Sequence, residues 1–304
     1  MNKEPVFGRI ATAVVTPFDS RGNVDYVSAK CLVDHLADNG SDAVVVAGTT
    51  GEGVALSEEE RIELFTFWRE NAPEKMKVVA NTGTNVTKDS VALTKAATKA
   101  GVDGVMTVMP YYNKPNQEGQ VRHFRMVANA TDKPVLLYNV PSRTGGSMTL
   151  EAIIELSGVT NIAAIKEASG NLDFVSSIVK NSQDGFVVYS GDDSLTLPIL
   201  SVGGVGVVSV ASHIVGSQLA EMVKAFVSGD VSRAREIHLK LLGVYKALFS
   251  TTNPIPVKTA LSLMGLISEQ FRLPMTKADE GVKQKLITVM NELGLFPGIP
   301  AGSA

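Results

Sequence analysis

Short apolar runs rich in valine and isoleucine recur along the chain, each bounded by glycine, proline or small polar residues. They cover residues 10–16, 43–48, 78–82, 104–110, 135–140, 162–169, 187–191 and 206–211. Several, such as Val44-Val45-Val46 and Val135-Leu136-Leu137, are continuously apolar rather than alternating. Strands covered on both faces read this way, which predicts a parallel sheet. Helical periodicity fills the intervals. Ser57-Glu58-Glu59-Glu60 has the S-x-x-E form of a capping box and opens a helix through Trp68. Further helices are predicted over 89–99, closed by Gly101, over 149–156, stopped near Gly158, and over 217–228. Eight strand–helix alternations predict an α/β fold of the (β/α)8 TIM-barrel type over residues 1–228. An open doubly wound sheet is the alternative, but Pro17-Phe18-Asp19 follows the first strand where such folds carry a glycine fingerprint.

After residue 228 the pattern changes. Residues 231–249, 255–266 and 278–293 read as helices with no strand between them, and Gly294 stands where a helix C-terminus often places glycine. This predicts a C-terminal helical appendage over 229–304. The 304 residues suffice for a large barrel plus such an appendage. A net charge of −3 gives no support for nucleic-acid binding. The start, Met1-Asn2-Lys3-Glu4-Pro5, lacks a secretory pattern. Residues 194–220 carry no Asp, Glu, Lys or Arg, but their glycines, serines, Gln218 and His213 suit a buried strand and helices better than a membrane span. A cytoplasmic protein is expected. The lone Cys31 excludes an internal disulfide framework and reads as core packing in the first helix. The four scattered histidines do not suit a metal site, and neither a metal nor another cofactor is expected.

Active sites of such barrels form at the C-terminal strand ends. Those ends carry Gly48-Thr49-Thr50-Gly51-Glu52, Pro110-Tyr111-Tyr112-Asn113, Tyr138 to Gly145, Lys166-Glu167 and Gly191-Asp192-Asp193. Lys166 follows Ile162-Ala163-Ala164-Ile165, so a cation projects from a buried strand. Burial favours the neutral amine, which can attack a ketone to form a Schiff base. Pairing with Glu167 or a rim aspartate would instead make it structural, and position alone leaves both readings open. Tyr138 can move protons, the Thr49–Thr50 turn can hold a small carboxylate, and Arg143 can clamp a second one. Each has an ordinary reading too: a hydrogen-bonded rim tyrosine, a plain loop and a solvent-facing arginine.

Taken together, these segments resemble the bacterial dihydrodipicolinate synthase family of pyruvate-dependent class I aldolases. Gly48-Thr49-Thr50-Gly51-Glu52, Tyr111-Tyr112-Asn113-Lys114-Pro115 and Ile165-Lys166-Glu167 mark the superfamily. The stretch Tyr138-Asn139-Val140-Pro141-Ser142-Arg143-Thr144-Gly145 is more discriminating, and the likeness continues to Asn253-Pro254-Ile255-Pro256-Val257-Lys258. The resemblance implies condensation of pyruvate with L-aspartate 4-semialdehyde, the committed step toward diaminopimelate and lysine, in a homo-oligomer, a tetramer made as a dimer of dimers. It implies an imine on Lys166, and proton transfer by Tyr138 relayed through Thr49 and through Tyr112 of a neighbouring subunit. It implies pyruvate carboxylate on Thr50, semialdehyde carboxylate on Arg143, and backbone contacts from Gly191 and Val208, a position where the family often has isoleucine. The resemblance would also put Asn85, Asp89 and Tyr111 at the allosteric lysine pocket of sensitive members, but Glu58 and Arg61 stand where those members often carry histidine, so weak or absent lysine inhibition is expected. A sialic-acid lyase or 2-keto-3-deoxy sugar-acid aldolase is the nearest rival, and Arg143 argues against it. A non-catalytic barrel that binds a small acid does not account for Lys166, Tyr138, Thr49 and Tyr112 together.

Overall fold

Eight parallel strands close on themselves in sequence order, β1 against both β2 and β8. The structure, a computed structural model, describes residues 4–295. The outermost residues of the two predicted segments, 1–3 and 296–304, lie outside the described residues. The elements are β1 (Ile10–Ala13), α1 (Tyr26–Asp38), β2 (Ala43–Val46), α2 (Glu58–Asn71), β3 (Lys77–Asn81), α3 (Thr87–Lys99), β4 (Gly104–Val108) and α4 (Gln117–Ala128). There follow β5 (Val135–Asn139), the single turn α5 (Pro141–Thr144), α6 (Leu150–Ser157), β6 (Ile162–Glu167), α7 (Leu172–Asn181), β7 (Val187–Ser190), α8 (Thr196–Ser201), β8 (Gly206–Ser209) and α9 (Ser212–Val227). Three more helices, α10 (Val231–Leu248), α11 (Ile255–Leu263) and α12 (Glu280–Glu292), complete the described chain.

The continuous apolar runs have the expected cause. Alternate residues serve two separate cores. Ala11, Val45, Val79, Leu136, Ala164 and Val208 pack inside the barrel, whereas Val44, Val78, Leu137, Ile165 and Val207 face the surrounding helices. The helices of the C-terminal segment join that outer core through Ala234, Leu241, Val257 and Leu286. The capping box is present: Glu60 N–H donates to Ser57 Oγ at 3.2 Å, and Ser57 N–H to Glu60 Oε2 at 2.9 Å.

All eight strands stop at least one residue short of their predicted C-terminal limits, because the rim residues there turn into loops. β3 starts one residue earlier than predicted, and β6 stops at Glu167. α9 begins at Ser212 rather than 217, with a non-helical Val215 inside it. Residues 194–220 form α8, β8 and most of α9, and among the described residues no helix is long and apolar enough to cross a membrane. Cys31 corrects an expectation. Ala29, Leu32, Val33 and Leu36 form the buried stripe of α1, and Cys31 lies off it, exposed and free.

Candidate active site

Lys166 and Tyr138 are register partners on β6 and β5, with side chains directed into the barrel mouth. Parity on β6 decides which of two adjacent ionisable groups enters it. Glu167 turns the other way, accepting from Asn139 Nδ2 at 2.8 Å and from Ser169 N–H at 2.6 Å. Lys166 therefore has no Glu167 partner. Its Nζ lies 4.3 Å from the centroid of the Tyr138 ring. Burial lowers its pKa to about 8, against the opposing pull of the Asp193 carboxylate. Asp193 is itself held by Ser209 Oγ and by the Val210 and Ala211 N–H groups, both at 3.0 Å.

Burial also pushes the Tyr138 phenol above its ordinary pKa, while the Arg143 charge and a hydrogen bond with Thr49 pull it down. Phenol and amine thus stand side by side, a proton donor next to an amine that burial helps to neutralise.

A cavity of about 210 Å³ opens over Lys166. Thr49, Thr50, Tyr138, Arg143, Gly191 and Asn253 line it. Thr50 is buried, and its Oγ1 accepts from Asn253 Nδ2 at 2.9 Å, which leaves its own O–H free to donate toward an anion. Arg143, in α5, is exposed and gives one N–H to the Asn253 carbonyl at 3.2 Å, leaving further donors for a carboxylate. Gly191 spends its N–H on Glu167 O at 2.7 Å, so its carbonyl is what it offers. A Cβ there would fall 2.6 Å from that of Ala168, so only glycine fits. Asn253 joins this site unforeseen. Its only sequence signal was its place in the 253–258 stretch, some 200 residues from Thr50.

A second cavity of about 400 Å³ shares Thr49, Tyr138, Arg143 and Asn253 and runs outward past Tyr111 to Arg272. Val208 does not line either cavity. It packs inside the barrel against β1, and Val210, two residues on and at the same parity, forms the wall over Lys166. Nor is Tyr112 brought to Tyr138 within the chain: it is 89% exposed, at φ 73°. Tyr111 lies at the outer cavity, whereas Asn85 and the exposed Asp89 lie off it. Arg61 sits near Tyr111 with its pKa lowered to about 10 by burial, and donates to Asn81 O at 2.6 Å. Among the described residues, no group of three or more His, Cys, Asp or Glu is placed to hold a metal ion.

A profile of the dihydrodipicolinate synthetase family matches residues 6–293. The chain belongs to this family. It is 54% identical to a 4-hydroxy-tetrahydrodipicolinate synthase of Bacillus velezensis, over 94% of this chain and 99% of that one. It is 51% identical to the synthase of that name from Bacillus subtilis, over 94% and 99%. The crystal structure of a dihydrodipicolinate synthase from Cyanidioschyzon merolae with lysine bound superposes with a TM-score of 0.94 at 46% identity, covering 96% of this chain and all of that one. As a member of the dihydrodipicolinate synthetase family the chain is an enzyme, a lyase on a TIM barrel. These likenesses support the synthase reading over the sialic-acid lyase and sugar-acid aldolase alternatives.

Proposed function

We propose that this site joins pyruvate to L-aspartate 4-semialdehyde through an imine on Lys166, the first committed step of diaminopimelate and lysine biosynthesis. The observation that carries this reading is a buried lysine with no hydrogen-bonded carboxylate, set against a tyrosine at the floor of a cavity with separate anion donors. Neutral Lys166 attacks the pyruvate ketone, and Tyr138 delivers the proton that lets water leave. The Thr50 hydroxyl holds the pyruvate carboxylate. Loss of a methyl proton gives the enamine, which attacks the semialdehyde held by Arg143, and ring closure onto the imine carbon frees Lys166. Gly191 offers a backbone carbonyl to the bound acids. Val208 would add a backbone contact beneath them, while the Val210 side chain lines the cavity.

Having given up its proton, Tyr138 must be reprotonated, and Thr49 supplies the first step of the relay that does so. Tyr112 would supply the second from a neighbouring copy, in a homotetramer built as a dimer of dimers. Support comes from Val54, Tyr112 and Leu273, all more than 80% exposed near the mouth of the outer cavity, a face that a second copy would cover. We place the enzyme in the cytoplasm, where an exposed free Cys31 stays reduced. Lysine inhibition through Asn85, Asp89 and Tyr111 would be weak or absent, because the Arg61 guanidinium near Tyr111 repels an ammonium group. A millimolar lysine titration of the initial rate checks this.

The deciding experiment is borohydride reduction in the presence of pyruvate, followed by a coupled assay with semialdehyde and the downstream reductase. Labelling at Lys166 and reductase-dependent turnover are expected. Labelling at another lysine would remove the proposed nucleophile.

A further inference from the structure

The loop that carries Thr49 and Thr50 is strained. Ala47 and Glu52, neither of them glycine, occupy left-handed backbone at φ 54° and 51°. Glu52 N–H donates to Thr49 O at 3.1 Å and Gly53 N–H to Gly48 O at 3.0 Å, folding the loop onto itself. A Cβ on Gly53 would fall 2.0 Å from the Ala47 carbonyl oxygen, so the loop closes with no room for a side chain. Such backbone persists only where its surroundings over-determine it.

The surroundings belong to the C-terminal segment. Glu52 is buried, and its Oε1 accepts from Lys258 Nζ of α11 at 2.6 Å while Oε2 accepts from Arg272 N–H at 3.2 Å. Lys258 is inaccessible, its ammonium 4.4 Å from the Phe18 ring centroid and 4.8 Å from that of Phe271. A buried ion pair is a poor means of stabilising a fold, since desolvating two ions offsets their attraction and apolar residues of similar volume often replace the pair without loss. What this pair does supply is a fixed direction between a catalytic loop and a helix 206 residues away. Asn253, held in the same segment, adds the second tie by donating to Thr50.

We infer that the Glu52–Lys258 ion pair is a positioning device that holds Thr49 and Thr50 against the Lys166 cavity, so that the C-terminal helices set the geometry of the pyruvate site. The inference rests on reading that cavity as the site of the pyruvate imine.

The test is the double variant Glu52→Gln/Lys258→Met. Glutamine keeps an acceptor for Arg272 N–H, and methionine fills the space between the Phe18 and Phe271 rings. A cooperative melt near that of the wild type is expected, with KM for pyruvate raised about tenfold, kcat lowered several-fold and borohydride trapping slowed in step. A purely structural pair would not separate these readouts. A folded double variant with wild-type KM and kcat overturns the inference. Should the double variant fail to melt cooperatively, Glu52→Asp decides, because it keeps both charges but withdraws the carboxylate by one methylene. A raised pyruvate KM then supports positioning, and an unchanged one overturns it. If the wild-type enzyme itself is not labelled by pyruvate and borohydride, the reading of Lys166 has failed, and this inference falls with it.

Discussion

Lys166 and Lys258 are both buried, and both ammonium groups lie over aromatic rings, 4.3 Å from the Tyr138 centroid and 4.4 Å from that of Phe18. Their partners differ. Lys258 meets a carboxylate at 2.6 Å, whereas Lys166 feels Asp193 only through space, without a hydrogen bond to it. Burial lowers both pKa values, but for Lys258 the Glu52 carboxylate opposes it at contact distance. Lys166 opens onto a cavity and Lys258 does not line either of the two cavities at the barrel mouth. The same side chain in the same kind of apolar surroundings is thus left free to react or is held fast, according to whether a carboxylate touches it.

Replacing each lysine by methionine should break this pair of roles apart. Lys166→Met is expected to abolish pyruvate trapping and lower turnover at least ~10³-fold, with the melting temperature unchanged or raised, because it removes a cation that no hydrogen-bonded carboxylate compensates. Lys258→Met leaves Glu52 buried and unpaired, and should cost about 3–5 kcal/mol in denaturant unfolding. Equal stability losses in the two variants would erase the distinction.

Tyr112→Phe comes next in size. A lost relay should lower turnover by about 10²-fold without altering the melt or the pyruvate-labelling site. Unchanged turnover would remove Tyr112 from the relay. Arg143→Ala should raise KM for the semialdehyde about 10- to 100-fold, the loss of one charge-assisted contact, while pyruvate trapping continues. An equal rise in both KM values would mean that the two carboxylates do not have separate sites.

The smallest effect lies in pH. A lysine of ordinary pKa 10.5 shifted to about 8 gains neutral amine as pH rises, so trapping should climb through about pH 8 and level off above it. The corresponding stability is complete above pH 10.5 and declines as pH falls toward 8, because charging the buried amine is then resisted. Asp193 raises the Lys166 pKa, so Asp193→Asn should move the trapping midpoint to lower pH. A midpoint that stays in place would take Asp193 out of the electrostatics of the nucleophile.

The sequence by itself determined the barrel, because strands buried on both faces must be apolar at every position and the capping and turn residues between them are local. It also placed Lys166, Tyr138, Thr49, Thr50 and Arg143 at strand ends. Cys31 was legible in principle, since the stripe Ala29, Leu32, Val33, Leu36 already leaves it off the buried face. Which layer of the barrel lines the cavity is a matter of depth that strand parity does not give: Val210 lines it and Val208 does not. Only the tertiary structure decided that Glu167 turns away from Lys166, that Asn253 touches both Thr50 and Arg143, and that Lys258 is tied to Glu52. Contacts such as these, up to 206 residues apart, leave no periodic trace in the chain. They depend on where α11 docks, and that is set by the packing of the whole outer core.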